Sequence, residues 1–335
     1  MHLKSRKNSL KKLAIEIFVA IVLMQITAST IVVGILSLQS NSLSGLLKKN
    51  FQEYDMDGIV NSTSFIAETY IDWVKSADMH PVIFDITLPI EKLVAKLSEV
   101  DAMLLTGGRQ SFFNERSNET DIKIPTPYLS IIGQIISAVI EENNRGHRIP
   151  IWSTCLGFEA MLVHLTNYNL IRRVVDNEIK SADKVTLVNY QTKSLRFFSP
   201  EDHEYMQKAR SFYFNHKFGI FAKDFYVNKY LRDNVDIVAV KEFGQEPIVV
   251  WFEFRNYPFF GTQFHPEKFP FDQQLIQGNG DRLKREEINH KMARLLKSMA
   301  VDRGRQIVPD VEQNVETLRL LNIGVYPAIE IFVRK

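Results

Sequence analysis

Apolar and polar positions alternate along this chain in two rhythms. Short apolar, β-branched runs read as buried strands: 29–38 (STIVVGILSL), 80–86 (HPVIFDI), 102–106 (AMLLT) and 148–154 (RIPIWST). Between them lie segments with helical spacing. Over 62–78, apolar side chains fall at 65, 66, 70, 71 and 74, one face of a helix. Residues 89–100 form a short amphipathic helix, and 125–146 a longer one with proline near its start and glycine at its end. A further helix is expected from about Gly157 to His164.

The order is strand, helix, strand, helix through the first half. Parallel strands need helix-sized crossovers, so the expected fold class is α/β, with a mostly parallel central sheet between two helical layers. The second half is richer in strands: 184–190, 234–243, 247–254 and 259–264. A charged amphipathic helix follows at 280–304, and a last strand is expected at 328–333 (AIEIFV). The polar stretch 109–124 reads as a loop, and no internal repeat or linker divides the chain.

Composition changes this picture little. Hydrophobic residues make up 45% and charged residues 24%, ordinary values for a globular chain. The net charge of +2 has no basic stripe interleaved with aromatics, so nucleic acid is not an expected partner. Cysteine and histidine lack the clustered spacing of zinc ligands, and the TGGRQ segment lacks the Lys-Ser/Thr of a phosphate loop. No metal and no cofactor is therefore expected.

The N-terminus does change it. Lys4, Arg6, Lys7, Lys11 and Lys12 precede the apolar stretch Leu13 to Ala28, the order of a secretory signal. Cleavage after Ala28 takes the net charge from +2 to −2 and leaves one domain, 29–335. The competing reading is a signal anchor over Ile17 to Leu36, long enough to cross a bilayer. The basic flank and short apolar core favour cleavage, with no membrane contact afterwards. Asn61 and Asn118 head N-glycosylation tripeptides.

Secretion makes the cysteine count informative. Cys155 is the only cysteine in 335 residues, so it has no disulfide partner within the chain. Its surroundings, Ser153-Thr154-Cys155-Leu156-Gly157, run from a strand directly into a helix. That is the small-x-nucleophile-x-Gly pattern of a nucleophile elbow. The helix N-terminus is expected to favour thiolate, and the Leu156 N–H to stabilise an oxyanion. Gly107 and Gly108, at the end of another strand, are candidates for a second N–H donor. For a lone cysteine the ordinary alternative is a core filler. Here the elbow argues for a nucleophile.

A nucleophilic thiol needs a base. His265 follows a strand in FFGTQFHPEK, with Glu267 two residues on, and a carboxylate there can orient the imidazole and stabilise its charged form. The candidate triad is Cys155, His265 and Glu267.

These segments, WSTCLGFE and GTQFHPEK, resemble the two signatures of gamma-glutamyl hydrolases. Those are cysteine peptidases of the class I glutamine amidotransferase-like (flavodoxin-like) fold. The likeness extends to TIVVGILSLQ, SFIAETYIDWVKSADMHPVIFDI, LLTGG and FNHKFGI, from about residue 30 to at least 300. It implies hydrolysis of γ-glutamyl bonds, of folyl or antifolyl poly-γ-glutamates, through a thioester on Cys155. His265 would be the base and Glu267 its orienting residue. His216 of FNHKFGI would bind substrate, and Glu159 would be structural at the helix start. It also implies a secreted or lysosomal/vacuolar protein, with a homodimer open. Two alternatives stay in view: a glutaminase that feeds ammonia to a synthase, and a non-catalytic binding member of the fold. The chain departs from the family pattern at Ser153 (usually glycine), Thr106 (usually proline) and Ser64-Phe65 (usually a tyrosine pair).

Overall fold

The computed structural model describes residues 30–40, 63–114, 123–170, 172–244, 246–268, 282–300, 315–320 and 329–334. The expected signal at 1–28 and the two glycosylation asparagines lie outside these residues.

Five strands run parallel in the order β4-β1-β5-β6-β12: His80–Phe84, Val32–Leu36, Ala102–Leu105, Ile151–Thr154 and Phe259–Thr262. The sheet then continues antiparallel through β11 (Ile248–Phe254), β10 (Val235–Lys241) and the two-residue β8 (Thr186–Leu187). Parallel strands buried on both faces need apolar side chains on both, and successive residues point to opposite faces. The packing follows that rule. Val32, Leu36, Met103, Leu105, Ile151 and Phe259 enter one core. Val33, Ile35, Ala102, Leu104, Trp152 and Phe260 enter the other.

Helices close each side. The first core takes Leu93 from α2 (Ile90–Lys96), Leu129, Ile132 and Ile136 from α3 (Pro127–Asn144), and Phe158 and Leu162 from α4 (Leu156–Leu165). The second takes Tyr70, Trp73 and Val74 from α1 (Glu68–Lys75), and Ile288, Met292, Leu295 and Leu296 from the C-terminal helix α9 (Arg282–Met299). The Trp73 indole N–H donates to the Asn289 carbonyl at 3.0 Å and ties these last two helices together. The three-layer α/β/α sandwich with a mostly parallel sheet is as expected.

Several elements differ from the sequence reading. The helix expected over 62–78 begins only at Glu68. Residues Thr63–Ala67 form β3, paired with β2 (Leu38–Gln39) and with β14 (Ile329–Arg334). With β13 (Val315–Leu320) these make a second, antiparallel sheet. Ser64, Phe65 and Ile66 fit both periods over so short a window, and the partner strands decide. The run 29–38 is broken at Ser37, whose hydroxyl accepts from the Ile86 N–H at 2.9 Å. Residues Val32–Leu36 of the anchor reading are a central strand of the main sheet.

Between α4 and β10 lies a long hairpin that periodicity does not reveal: β7 (Arg173–Asp183) against β9 (Phe212–Phe221). Two small helices sit inside it, α5 (Lys193–Arg196) and α6 (Pro200–Lys208). The start of α6 is legible in hindsight. Ser199 and Asp202 form a capping box around Pro200 at the first helical position. Short helices α7 (Ala222–Val227) and α8 (Lys229–Asn234) lead into β10. No helix among the described residues is long and apolar enough to cross a membrane.

Candidate active site

The carboxyl ends of β5, β6 and β12 meet at one point, where such sheets place their ligands. Cys155 stands between β6 and α4, with φ 49° and ψ −102°. A non-glycine residue held at positive φ is strained, and the surroundings must impose it. Here the Cys155 N–H donates to the Thr262 carbonyl at 2.7 Å, and its own carbonyl accepts the first helical bond, from the Glu159 N–H at 3.0 Å. Gly157 lets the helix start so close to the sheet, since a Cβ there would lie 2.6 Å from the Leu105 carbonyl oxygen.

Ser153 does not spoil this turn. Its hydroxyl points into the sheet and donates to the Phe260 carbonyl at 2.9 Å. Room for it comes from Gly261, its partner across the β6–β12 ladder. A Cβ on Gly261 would lie 2.5 Å from the Ser153 oxygen. Thr106 likewise settles its hydroxyl, on the Leu36 carbonyl at 2.9 Å.

His265 follows β12. Its N–H donates to the Tyr213 carbonyl at 2.8 Å, and its Nδ1 lies 2.7 Å from Glu267 Oε1. A carboxylate only accepts, so Nδ1 carries the proton and Nε2 is left as the basic nitrogen. Cys155 is 3% exposed, His265 6% and Glu267 fully buried. A Cβ built on Gly107 would stand 2.8 Å from His265 Cε1 and 3.0 Å from Cys155 Cβ. The thiol and the imidazole therefore converge across Gly107, and the bare backbone there is what admits both.

Two expectations are modified. Gly107 is at the centre of the site, but its N–H is already bonded to the Tyr70 hydroxyl at 2.7 Å, while Gly108 is exposed beside Leu38. The Leu156 N–H, at the start of α4, contacts the sulfur. The resting thiol is also not a preformed thiolate. Burial, then the carboxylates of Glu159 and Glu267, push its pKa well up, against Leu156 N–H and Gln263, which lower it. The sulfur lies 3.7 Å from the Asn215 carbonyl, the acceptor for its proton at rest.

His216 sits next to that carbonyl on β9. Burial pulls its imidazole down to about 4, so it is neutral at physiological pH. Nδ1 bonds the Phe218 carbonyl at 2.6 Å, and the buried Nε2 meets no partner among the described residues. Glu159 is more than a helix-start carboxylate. It pairs with Arg172 Nη1 at 2.8 Å and accepts from Gln263 Nε2 at 3.1 Å.

Three residues here escape the sequence reading. Tyr70 falls on the apolar stripe of its helix and reads as core. Burial, then Glu267 and Cys155, raise its phenol well above the ordinary value. Gln263 is a buried amide in an otherwise apolar strand end, FFGTQF, and its need for partners is a signal that was there to find. Arg172 lies in a loop without periodicity, its guanidinium between the rings of Phe112 (3.7 Å) and Phe218 (4.3 Å). Among the described residues no group of three or more His, Cys, Asp or Glu could hold a metal ion.

The chain is similar to gamma-glutamyl hydrolase 2 of Arabidopsis thaliana, 27% identical over 91% of this chain and 83% of that one. It is similar to gamma-glutamyl hydrolase of Rattus norvegicus, 24% identical over 64% of each chain. Gamma-glutamyl hydrolase 1 of Arabidopsis thaliana is 25% identical over 72% of this chain and 64% of its own length. The match thus spans somewhat under two thirds of the rat protein. The family model for Peptidase C26 matches residues 45–267. That span takes in the glycine turn after β5, the elbow, the β9 histidine and the His–Glu pair, and the chain belongs to the Peptidase C26 family.

Proposed function

We propose that the protein hydrolyses γ-glutamyl bonds with Cys155 as nucleophile, acting on folyl or antifolyl poly-γ-glutamates in a secretory or lysosomal/vacuolar compartment. The observation that carries this reading is the convergence of Cys155 and His265 on the two sides of Gly107. The relatives' names supply the bond.

The chemistry follows from the groups present. Cys155 Sγ gives its proton to His265 Nε2 and attacks the γ-carbonyl carbon. The imidazolium is stabilised by Glu267 on Nδ1. Charge developing on the carbonyl oxygen is met by the Leu156 N–H at the start of α4. The Gly107 N–H joins it when substrate displaces the Tyr70 hydroxyl. Collapse breaks the C–N bond, and the proton on His265 leaves with the amine. Water, deprotonated by the same Nε2, then attacks the thioester, releases the glutamyl product and restores the thiol. His216 offers an acceptor lone pair to substrate beside the nucleophile.

The purified protein, given a defined poly-γ-glutamate, releases glutamate or glutamyl peptides, and Cys155→Ala abolishes release while the protein still melts as a folded chain. Turnover that survives this substitution would sink the mechanism. Free glutamine, tested in the same assay, is expected to be the poorer substrate; the reverse ranking would favour the glutaminase reading.

A further inference from the structure

Gln263 is fully buried one residue past β12, with its N–H bonded to the Val250 carbonyl at 2.9 Å. Its side-chain Nε2 lies 3.1 Å from Glu159 Oε1 and 3.7 Å from Cys155 Sγ. The two ends of the amide are told apart by the groups they face. A carboxylate accepts and cannot donate, so the NH2 end must face Glu159. Burial raises the pKa of Glu159, and Arg172, held between two aromatic rings 2.8 Å from it, works against that rise together with the Gln263 amide and favours the carboxylate. One amide hydrogen is thereby committed to Glu159, and the second points at the sulfur.

This orientation has a cost. Gln263 Oε1 is buried and meets no partner among the described residues. An unmet buried acceptor is costly and calls for an explanation. Turning the amide over would set two acceptors face to face and take the donor from the sulfur.

We propose that Gln263 is a positioning residue for the nucleophile: the Arg172–Glu159 pair locks its amide so that one N–H always faces Cys155 Sγ. A thiol sulfur is a weak acceptor and a thiolate a strong one, so such a donor favours the reactive form. It acts with the Leu156 N–H against the burial and the two carboxylates that hold the thiol protonated. The assignment rests on Cys155 being the nucleophile, but it can be tested without turnover, because Cys155 is the only thiol in the chain.

The probe is iodoacetamide, with alkylation of Cys155 followed by mass spectrometry from neutral to mildly alkaline pH. Gln263→Met keeps the length and removes the donor. Its alkylation rate is expected to fall about tenfold at each pH, a parallel displacement of the rate–pH line. A residue that merely fills space gives the opposite sign, because loosening the site exposes the thiol and speeds labelling. Rates equal to or above those of the native protein, in a variant that melts as folded, overturn the proposal. Gln263→Glu keeps the shape if the methionine variant does not fold. Whichever of its two facing carboxyls holds a proton shares it with the other, so the sulfur again loses its donor, and the same criterion applies. Native protein that fails to hydrolyse γ-glutamyl bonds while this labelling pattern holds counts against the proposed function and leaves the assignment of Gln263 in place.

Discussion

Gly107→Ala strikes the point where the candidate site is tightest. The new Cβ would lie 2.8 Å from His265 Cε1, 2.8 Å from the Tyr70 hydroxyl oxygen and 3.0 Å from Cys155 Cβ. Carbon atoms in ordinary contact sit about 3.5–4.0 Å apart, so roughly 0.7 Å must be found on the histidine side. Cys155 cannot supply it, because the Thr262 carbonyl and the first turn of α4 hold its backbone. The imidazole must move instead, against its bond to Glu267, or the Tyr70 hydroxyl must leave the Gly107 N–H. A misplacement near 1 Å at reacting groups costs on the order of 100-fold in rate, so kcat/KM should fall by roughly 30- to 100-fold. Overpacking should lower stability by about 1–3 kcal/mol, too little to unfold a typical domain. Initial rates of glutamate release, with a thermal melt on the same sample, check both numbers. An alanine variant that keeps kcat/KM within about threefold of the native protein would refute the convergence argued from this glycine.

Two further predictions concern buried polar groups. His216 titrates at about 4 when folded, below the ordinary value near 6.5. As pH falls the unfolded chain takes up this proton first. The stability His216 contributes is therefore full above about pH 6.5 and lost towards about pH 4, on the order of 3 kcal/mol. His216→Gln should remove that part of the pH slope in urea melts at about pH 7 and about pH 4.5, and unchanged slopes would show the imidazole is not the source. Glu253, buried on β11, accepts from the Lys193 N–H (2.8 Å), the Ser194 N–H (2.7 Å) and the Ser194 hydroxyl (2.6 Å), closing the start of α5. Glu253→Ala leaves these donors unmet and should cost about 3 kcal/mol in urea unfolding, with a loss below about 1 kcal/mol ruling out the cap.

The alternation of main-sheet strands and helices along the first half was legible, and so was the choice of Cys155, His265 and Glu267 as candidates, which the fold brings to one place. Both rest on local rules. Alternation and helical spacing report burial residue by residue, and an elbow or a His-x-Glu turn is written within a few positions. Such rules fail where distant segments choose. Thr63–Ala67 is a strand because β2 and β14 lie beside it. The β7–β9 hairpin is set by pairing between residues far apart in the chain.

Ser153 shows the division most clearly. In the chain alone it is a small residue where the family usually has glycine, with a Cβ and a hydroxyl that must fit a tight turn. The tertiary structure places Gly261 opposite it and a carbonyl within reach of its hydroxyl, so the space comes from a strand more than a hundred residues later. Tyr70 on the Gly107 N–H and Gln263 between Glu159 and the sulfur are of the same kind. Local sequence carries the identity of the candidate reacting groups, because their chemistry lies in single side chains. Their protonation, their partners and the room they occupy depend on charges, hydrogen bonds and excluded volume that only the folded chain brings together.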